Sequence, residues 1–272
     1  MKLLLPSLLL SIAAFAEEPA ADIAPILEKI RKGSPAECVE AIGKLTPGKE
    51  ERAAKPMAVR LITEADAQAR AVIREALGAY KGMVLVQAMK TGLETKGVTD
   101  DYRQIAIELL APEKSEAAVA LVVKIAFASE MKAMRESGQK ALVAYEDLSI
   151  KPTLPYLKAG DQKIASEAVA TMKSIGTEAV GKALILFIPD GGEKEILRIV
   201  GITNKTRDQV AKALIDMGDK AVPGLLTGLD SPLYVRWSGW CLQQMTGETY
   251  ATTDRAAWAA WWKRRQAENS GR

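Results

Sequence analysis

From residue 22 to residue 246, apolar residues recur every three or four positions, with short interruptions at Gly, Pro, Asp and Asn. Met57, Leu61 and Ile62 show the spacing, as do Ile105, Leu109 and Leu110, and then Val119, Val122, Val123 and Ala126. Spacing of this kind puts the apolar side chains on one stripe of a 3.6-residue helix. No stretch sustains the period-two alternation of a half-buried strand, and hairpin-turn dipeptides between strand-like runs are missing. The pattern predicts an all-α chain.

The helices repeat. Ile175-Gly176-Thr177-Glu178-Ala179-Val180-Gly181-Lys182-Ala183-Leu184 aligns with Met217-Gly218-Asp219-Lys220-Ala221-Val222-Pro223-Gly224-Leu225-Leu226. Each segment closes one amphipathic helix with a glycine, which tolerates the positive φ of a C-cap. Each then opens another with an acid, which suits the positive end of the helix dipole. Ala76-Leu77-Gly78-Ala79-Tyr80 and Ala141-Leu142-Val143-Ala144-Tyr145 recur in the same way, about two units apart. The punctuation divides the chain into six or seven helical hairpins, near 22–45, 50–80, 82–111, 113–147, 149–175, 177–217 and 219–246. A hairpin whose apolar face is too broad to bury alone covers it by stacking on its neighbours, so the expected architecture is a curved α-α superhelix.

Particular residues carry a family resemblance. Ala221-Val222-Pro223-Gly224-Leu225-Leu226, the turn Asp230-Ser231-Pro232, Val235-Arg236, and then Cys241-Leu242 and Met245-Thr246-Gly247 resemble a HEAT repeat. That pattern has a proline in its first helix, an Asp-x-Pro turn, and Val-Arg opening its second helix. Asp66-Ala67-Gln68-Ala69-Arg70 resembles a second-helix segment, and Thr153-Leu154-Pro155-Tyr156-Leu157 a first helix. The resemblance runs from about Asp22 to Gly247 and is densest toward the C-terminus. It implies a HEAT-like, armadillo-type solenoid. Trp237 and Trp240 depart from the family pattern, as does the long irregular stretch Pro189–Lys205.

The two ends read differently from the array. Lys2, the apolar stretch Leu3–Phe15, and Ala14 and Ala16 before Glu17-Glu18 have the layout of a secretory signal peptide cut after Ala16. The array is then expected over 17–247 in the periplasm or outside the cell. Residues 248–272 form a closing segment, in which Trp258, Trp261 and Trp262 share a helix that starts at Thr253 or Asp254. This tail resembles the end of some exported bacterial HEAT-like proteins. All five tryptophans lie between 237 and 262. Trp237, Trp240, Tyr250, Trp258 and Trp261 are expected to cap the last hairpin. Trp262, whose face diverges from that of Trp258, is the candidate binding ring. The alternative reading of the cluster is an aromatic platform for a sugar or a peptide. Lys263-Arg264-Arg265 suit the negative end of the final helix.

Composition narrows the chemistry. Among 272 residues there are 43 alanines and only 5% aromatics, which suits closely packed helices. The chain has no histidine, and this excludes Ser-His-Asp triads, Cys-His dyads and HExxH zinc sites. Cys38 and Cys241 are expected as buried reduced thiols. Removal of Lys2 with the signal peptide leaves 36 basic against 34 acidic residues, a balance that argues against nucleic-acid binding. No later run reaches the ~18 apolar residues of a membrane span. Asn204-Lys205-Thr206 matches a glycosylation sequon that matters only in a eukaryotic source.

Three motifs imitate catalytic ones. Gly176–Ala183 lacks the Ser or Thr that follows the lysine in a P-loop. Ser129-Glu130-Met131-Lys132 and Lys90-Thr91-Gly92 match S-x-x-K and K-T-G, but in reversed order and helical context. No catalytic residue, cofactor or metal ligand is assigned. The leading expectation is a non-catalytic protein-interaction scaffold using a concave face, with Arg70, Arg103, Lys163 and Arg207 as candidate lining residues. Binding of a carbohydrate or peptide by the tryptophans is the second reading. A lyase-like enzyme on the same scaffold is the third.

Overall fold

The computed structural model describes residues 23–46 and 48–270, so the expected signal peptide, 1–16, lies outside the described residues. These residues are α-helical with short 3-10 turns, and no β-strand occurs among them. The chain runs as successive helix pairs. Helix α1 (Ala24–Lys32) packs on α2 (Pro35–Gly43), α3 (Ala54–Thr63) on α4 (Ala67–Gly78), and α5 (Gly82–Leu93) on α6 (Asp100–Leu110). Next come α7 (Glu116–Ala128) on α8 (Lys132–Ala144) and α9 (Ile150–Leu157) on α10 (Gln162–Ile175). Helix α11 (Glu178–Leu184) is separated from its partner α13 (Asn204–Met217) by the short α12 (Glu193–Ile199). Helix α14 (Val222–Leu229) packs on α15 (Val235–Thr246), and α16 (Arg255–Ser270) ends the chain.

Polar residues set these boundaries. Ser34 forms a capping box with Glu37 at the start of α2. Asp66, Thr99, Asp161 and Thr203 accept main-chain N–H groups at the starts of α4, α6, α10 and α13. Each cap satisfies a donor that the helix leaves open, worth about 1 kcal/mol. Gly176 ends α10 with φ 60°, and Thr177 starts α11 by accepting the Val180 N–H. Asp254 caps α16 by accepting the Ala257 N–H at 3.0 Å.

The pairs pack in two rows. The first helices touch in the order α1, α3, α5, α7, α9, α11, α14 and α16. The second helices touch in the order α2, α4, α6, α8, α10, α13 and α15. The principal contacts of each pair are with the pair before it and the pair after it. One buried apolar cluster runs from Ile30 to Trp258 between the rows.

Small residues let helix backbones approach. A Cβ on Gly138 of α8 would lie 2.8 Å from the Cα of Ala126 in α7. A Cβ on Gly224 of α14 would lie 2.6 Å from the carbonyl carbon of Gly181 in α11. Alanine-rich composition and the glycines of the repeat therefore act through the same contact, a close helix-helix crossing. Two buried tyrosines then bind main chain. Tyr80 donates to the Glu50 carbonyl at 2.8 Å, and Tyr145 to the Leu110 carbonyl at 2.6 Å.

Candidate functional site

Four second helices carry an arginine as their fourth residue: Arg70, Arg103, Arg135 and Arg207. From that position Arg70 and Arg135 reach back past their own N-termini to the end of the preceding helix. Arg70 Nη1 donates to the carbonyls of Leu61 and Glu64 at 3.0 and 3.1 Å, and its Nη2 meets Asp101 of the next pair at 2.8 Å. Arg135 repeats this pattern. Its Nη1 donates to the carbonyls of Ser129 and Glu130 at 3.0 and 2.8 Å, and its Nε binds Glu167 of the next pair. These are charge-assisted bonds that close helix ends and join successive pairs.

Arg207 has a different partner set. Its Nη1 donates to the Gly191 carbonyl at 2.9 Å, and its guanidinium lies 4.3 Å above the ring of Trp237. Asp190, in the stretch between α11 and α12, accepts the N–H groups of Arg236 and Trp237 at 3.0 and 3.1 Å. The irregular 189–203 stretch is thereby fastened to the start of α15. Arg103 pairs with Asp100 at 2.5 Å and keeps a third of its side chain exposed. Lys163 is exposed near the start of α10. Of the four cations singled out in the sequence, Arg70 and Arg207 are therefore held by main chain and neighbouring side chains, Arg103 is half-buried against Asp100, and Lys163 is exposed.

Beside Arg70, Arg60 and Glu64 form a buried pair at 2.5 Å. Burial pushes the Glu64 carboxyl up, but the Asp66 N–H and the Arg60 guanidinium outweigh it and hold it below its ordinary range. The outward side of the second-helix row continues as bonded polar pairs. Arg74 meets Glu108 at 2.6 Å, and Lys173 meets Asp216 at 2.6 Å. Gln162 donates to Thr206 and Gln209 at 3.3 and 3.2 Å, and Gln139 donates to Glu167 at 3.1 Å.

A cavity of about 490 Å³ opens between α5, α6 and α7. Lys90, Arg103 and Lys124 line it with Glu94, Asp100 and Glu130, over Leu93, Leu121 and Ile125. It brings together Lys90 of the K-T-G match and Ser129 of the S-x-x-K match. Ser129 Oγ accepts the Met131 N–H, and Lys132 faces Glu136 at 3.4 Å, so the serine is not poised as a nucleophile by its own motif lysine. Gly92 of the K-T-G match instead makes room for the Tyr102 ring. In the P-loop look-alike, Lys182 pairs with Glu178 at 2.6 Å, and Gly181 packs on Ala221. Among the described residues, no group of three His, Cys, Asp or Glu is placed to hold a metal ion.

The tryptophans divide by burial. Trp258 is fully buried, donates to the Ala251 carbonyl at 3.1 Å and meets Tyr250 edge-on. Trp261 and Trp262 are half-buried, tilted against each other, and packed on the core. Trp237 is half-buried beneath Arg207. Trp240 is 39% exposed and lines a hollow of about 370 Å³ with Arg236, Trp237, Thr252 and Thr253. The expectation of a binding ring at Trp262 and a capping ring at Trp240 therefore meets the opposite order of exposure. Helical phase alone does not reveal that Thr252, crossing over Gly239, leaves Trp240 at the rim.

Neither a protein-family model nor a curated protein matches the chain. No helix of the described residues is long and apolar enough to cross a membrane. The arrangement offers side-chain-lined surfaces in two rows, a mixed-charge cavity and an aromatic hollow.

Proposed function

We propose that this protein is a non-catalytic interaction scaffold or adaptor, built as a HEAT-like α-solenoid and acting outside the cytoplasm. The observation that supports it is the two-row packing of helix pairs, each in contact chiefly with its neighbours. Arrays of that kind present long continuous surfaces rather than one closed pocket. The second-helix row is the proposed concave binding face, with the exposed Lys163 and the partly exposed Arg103 as its cations and Arg70 and Arg207 as supports. The closing segment 248–272 covers the last apolar face by inserting Trp258. Export rests on the signal-peptide layout of residues 1–16.

The test is affinity capture from the extracytoplasmic fraction of the source organism, with the full chain and an Arg103→Glu/Lys163→Glu variant as baits. The reading expects one or two stoichiometric protein partners, lost at raised salt and lost with the variant. Retention of the same partners by the variant would sink the assignment of the face. A second reading, carbohydrate or peptide binding through tryptophan, is favoured by the exposure of Trp240 beside Thr252 and Thr253. Retention of polysaccharide that Trp240→Ala abolishes would move the function there.

A further inference from the structure

A second hollow lies where α9 meets the stretch between α11 and α13. It has a volume of about 490 Å³, is open to solvent, and is lined by Leu154, Leu186, Phe187 and Tyr234 with Lys151 and Lys158 as its charged groups. No carboxylate lines it. The cavity beside α5 instead balances three cations with three acids, and the groove between α4 and α6 sets Arg70 and Arg74 against Asp101 and Glu108. Lys158 extends over the Phe187 ring, with its ammonium 5.9 Å from the centroid. Its stem thus adds to the apolar floor while its charge stands at the edge.

Two leucines at the same place are exposed: Leu186 of the lining by 48%, and Leu233, next in the chain to the lining Tyr234, by 45%. The wall is fixed in advance, because Asp190 caps α15 and Arg207 holds the Gly191 carbonyl. A preformed surface loses less on binding than one that must order.

We infer that this groove docks a short segment of a partner protein that carries Asp or Glu beside two apolar side chains. The apolar floor takes the side chains, and Lys151 and Lys158 select the acid. Openness to solvent decides for a protein segment over a small amphiphile, since small-ligand sites bury most of their ligand's surface. The inference rests on the scaffold reading in taking the partner to be a protein, and it places a contact outside the second-helix face.

The test is selection from a phage-displayed library of random dodecapeptides on the full chain. Enriched sequences are then resynthesised with fluorescein for anisotropy titration. Enrichment of acidic-apolar peptides is expected. Their affinity should fall tenfold or more with Lys151→Glu/Lys158→Glu and with Leu186→Asp, while far-UV circular dichroism stays unchanged. Both sets of side chains are exposed, so neither variant disturbs the core. Selection on the charge-reversed variant should enrich Lys or Arg instead. Equal binding by wild type and both variants overturns the inference, as does saturable binding of sodium decanoate without any enriched peptide. Loss of peptide binding only in Arg103→Glu/Lys163→Glu overturns this site and leaves the scaffold reading standing. Failure of both peptide selection and partner capture overturns both.

Discussion

Replacing Arg135 by methionine tests whether arginines at the fourth position of second helices hold successive helix pairs together. The Arg135 side chain is 7% exposed, and that of its partner Glu167 is 23% exposed. Methionine keeps much of the stem volume and removes two bonds to the end of α7 and two to Glu167. Charge-assisted bonds contribute about 1.5–3 kcal/mol each, and breaking a buried pair from one side costs about 3–5 kcal/mol in all. Glu167 keeps some water and the Gln139 donor at 3.1 Å, which lowers the expectation to about 3 kcal/mol. Urea unfolding followed by far-UV circular dichroism reads the loss. Arg135→Lys keeps the charge without the fork and should fall between wild type and Arg135→Met. Lys132→Ala removes an exposed pair on the same helix and should cost less than about 0.5 kcal/mol. A loss for Arg135→Met no larger than that for Lys132→Ala would show that Arg135 does not hold the pairs together.

Three further outcomes follow from the same structure. Asp190→Ala should destabilise by about 1–2 kcal/mol and speed hydrogen exchange at the Arg236 and Trp237 amides, with helix α6 as the unaffected reference. Gly239→Ala puts a methyl against the Thr252 main chain, and should lower the melting temperature and expose residues 247–254 to limited proteolysis. Burial pushes the Cys38 thiol up and the Cys241 thiol up to about 12, and it also raises Tyr80, Tyr102, Tyr145 and Tyr156. The unfolded chain then loses these protons first, so stability is full below pH ~8 and falls as pH rises through the thiol and phenol ranges. Melting temperatures measured from pH 8 to 11 should decline across that range. A flat profile would contradict the burial of these groups.

Much of the helical layout was legible because local chemistry sets it. Gly176 followed by Thr177, and Asp66 before Ala67, mark helix ends through bonds made within a few residues. The close approach of Gly181 to Ala221 and Gly224 also lay within the repeat, although the glycine resembled part of a phosphate loop. What was not legible depends on residues far apart in sequence. Arg70 looked like a groove cation, and only the placement of Asp101, 31 positions on, shows it to be a tie. The Pro189–Lys205 stretch looked irregular, and Asp190, reaching 46 and 47 positions ahead, ties it to α15. Arg135 went unremarked in the sequence for the same reason. Its signal was the fourth-residue position that it shares with Arg70, Arg103 and Arg207.

The placement of aromatic residues gives the molecule two separate optical windows. Every tryptophan belongs to α15 or α16, whereas Tyr80, Tyr102, Tyr145 and Tyr156 sit along the earlier helices. Emission excited at the red edge of the spectrum therefore follows the last helices alone, and far-UV ellipticity averages over all of them. In a chain whose helix pairs touch mainly their neighbours, the two signals are expected to separate on denaturation. Their order reveals from which end the protein comes apart.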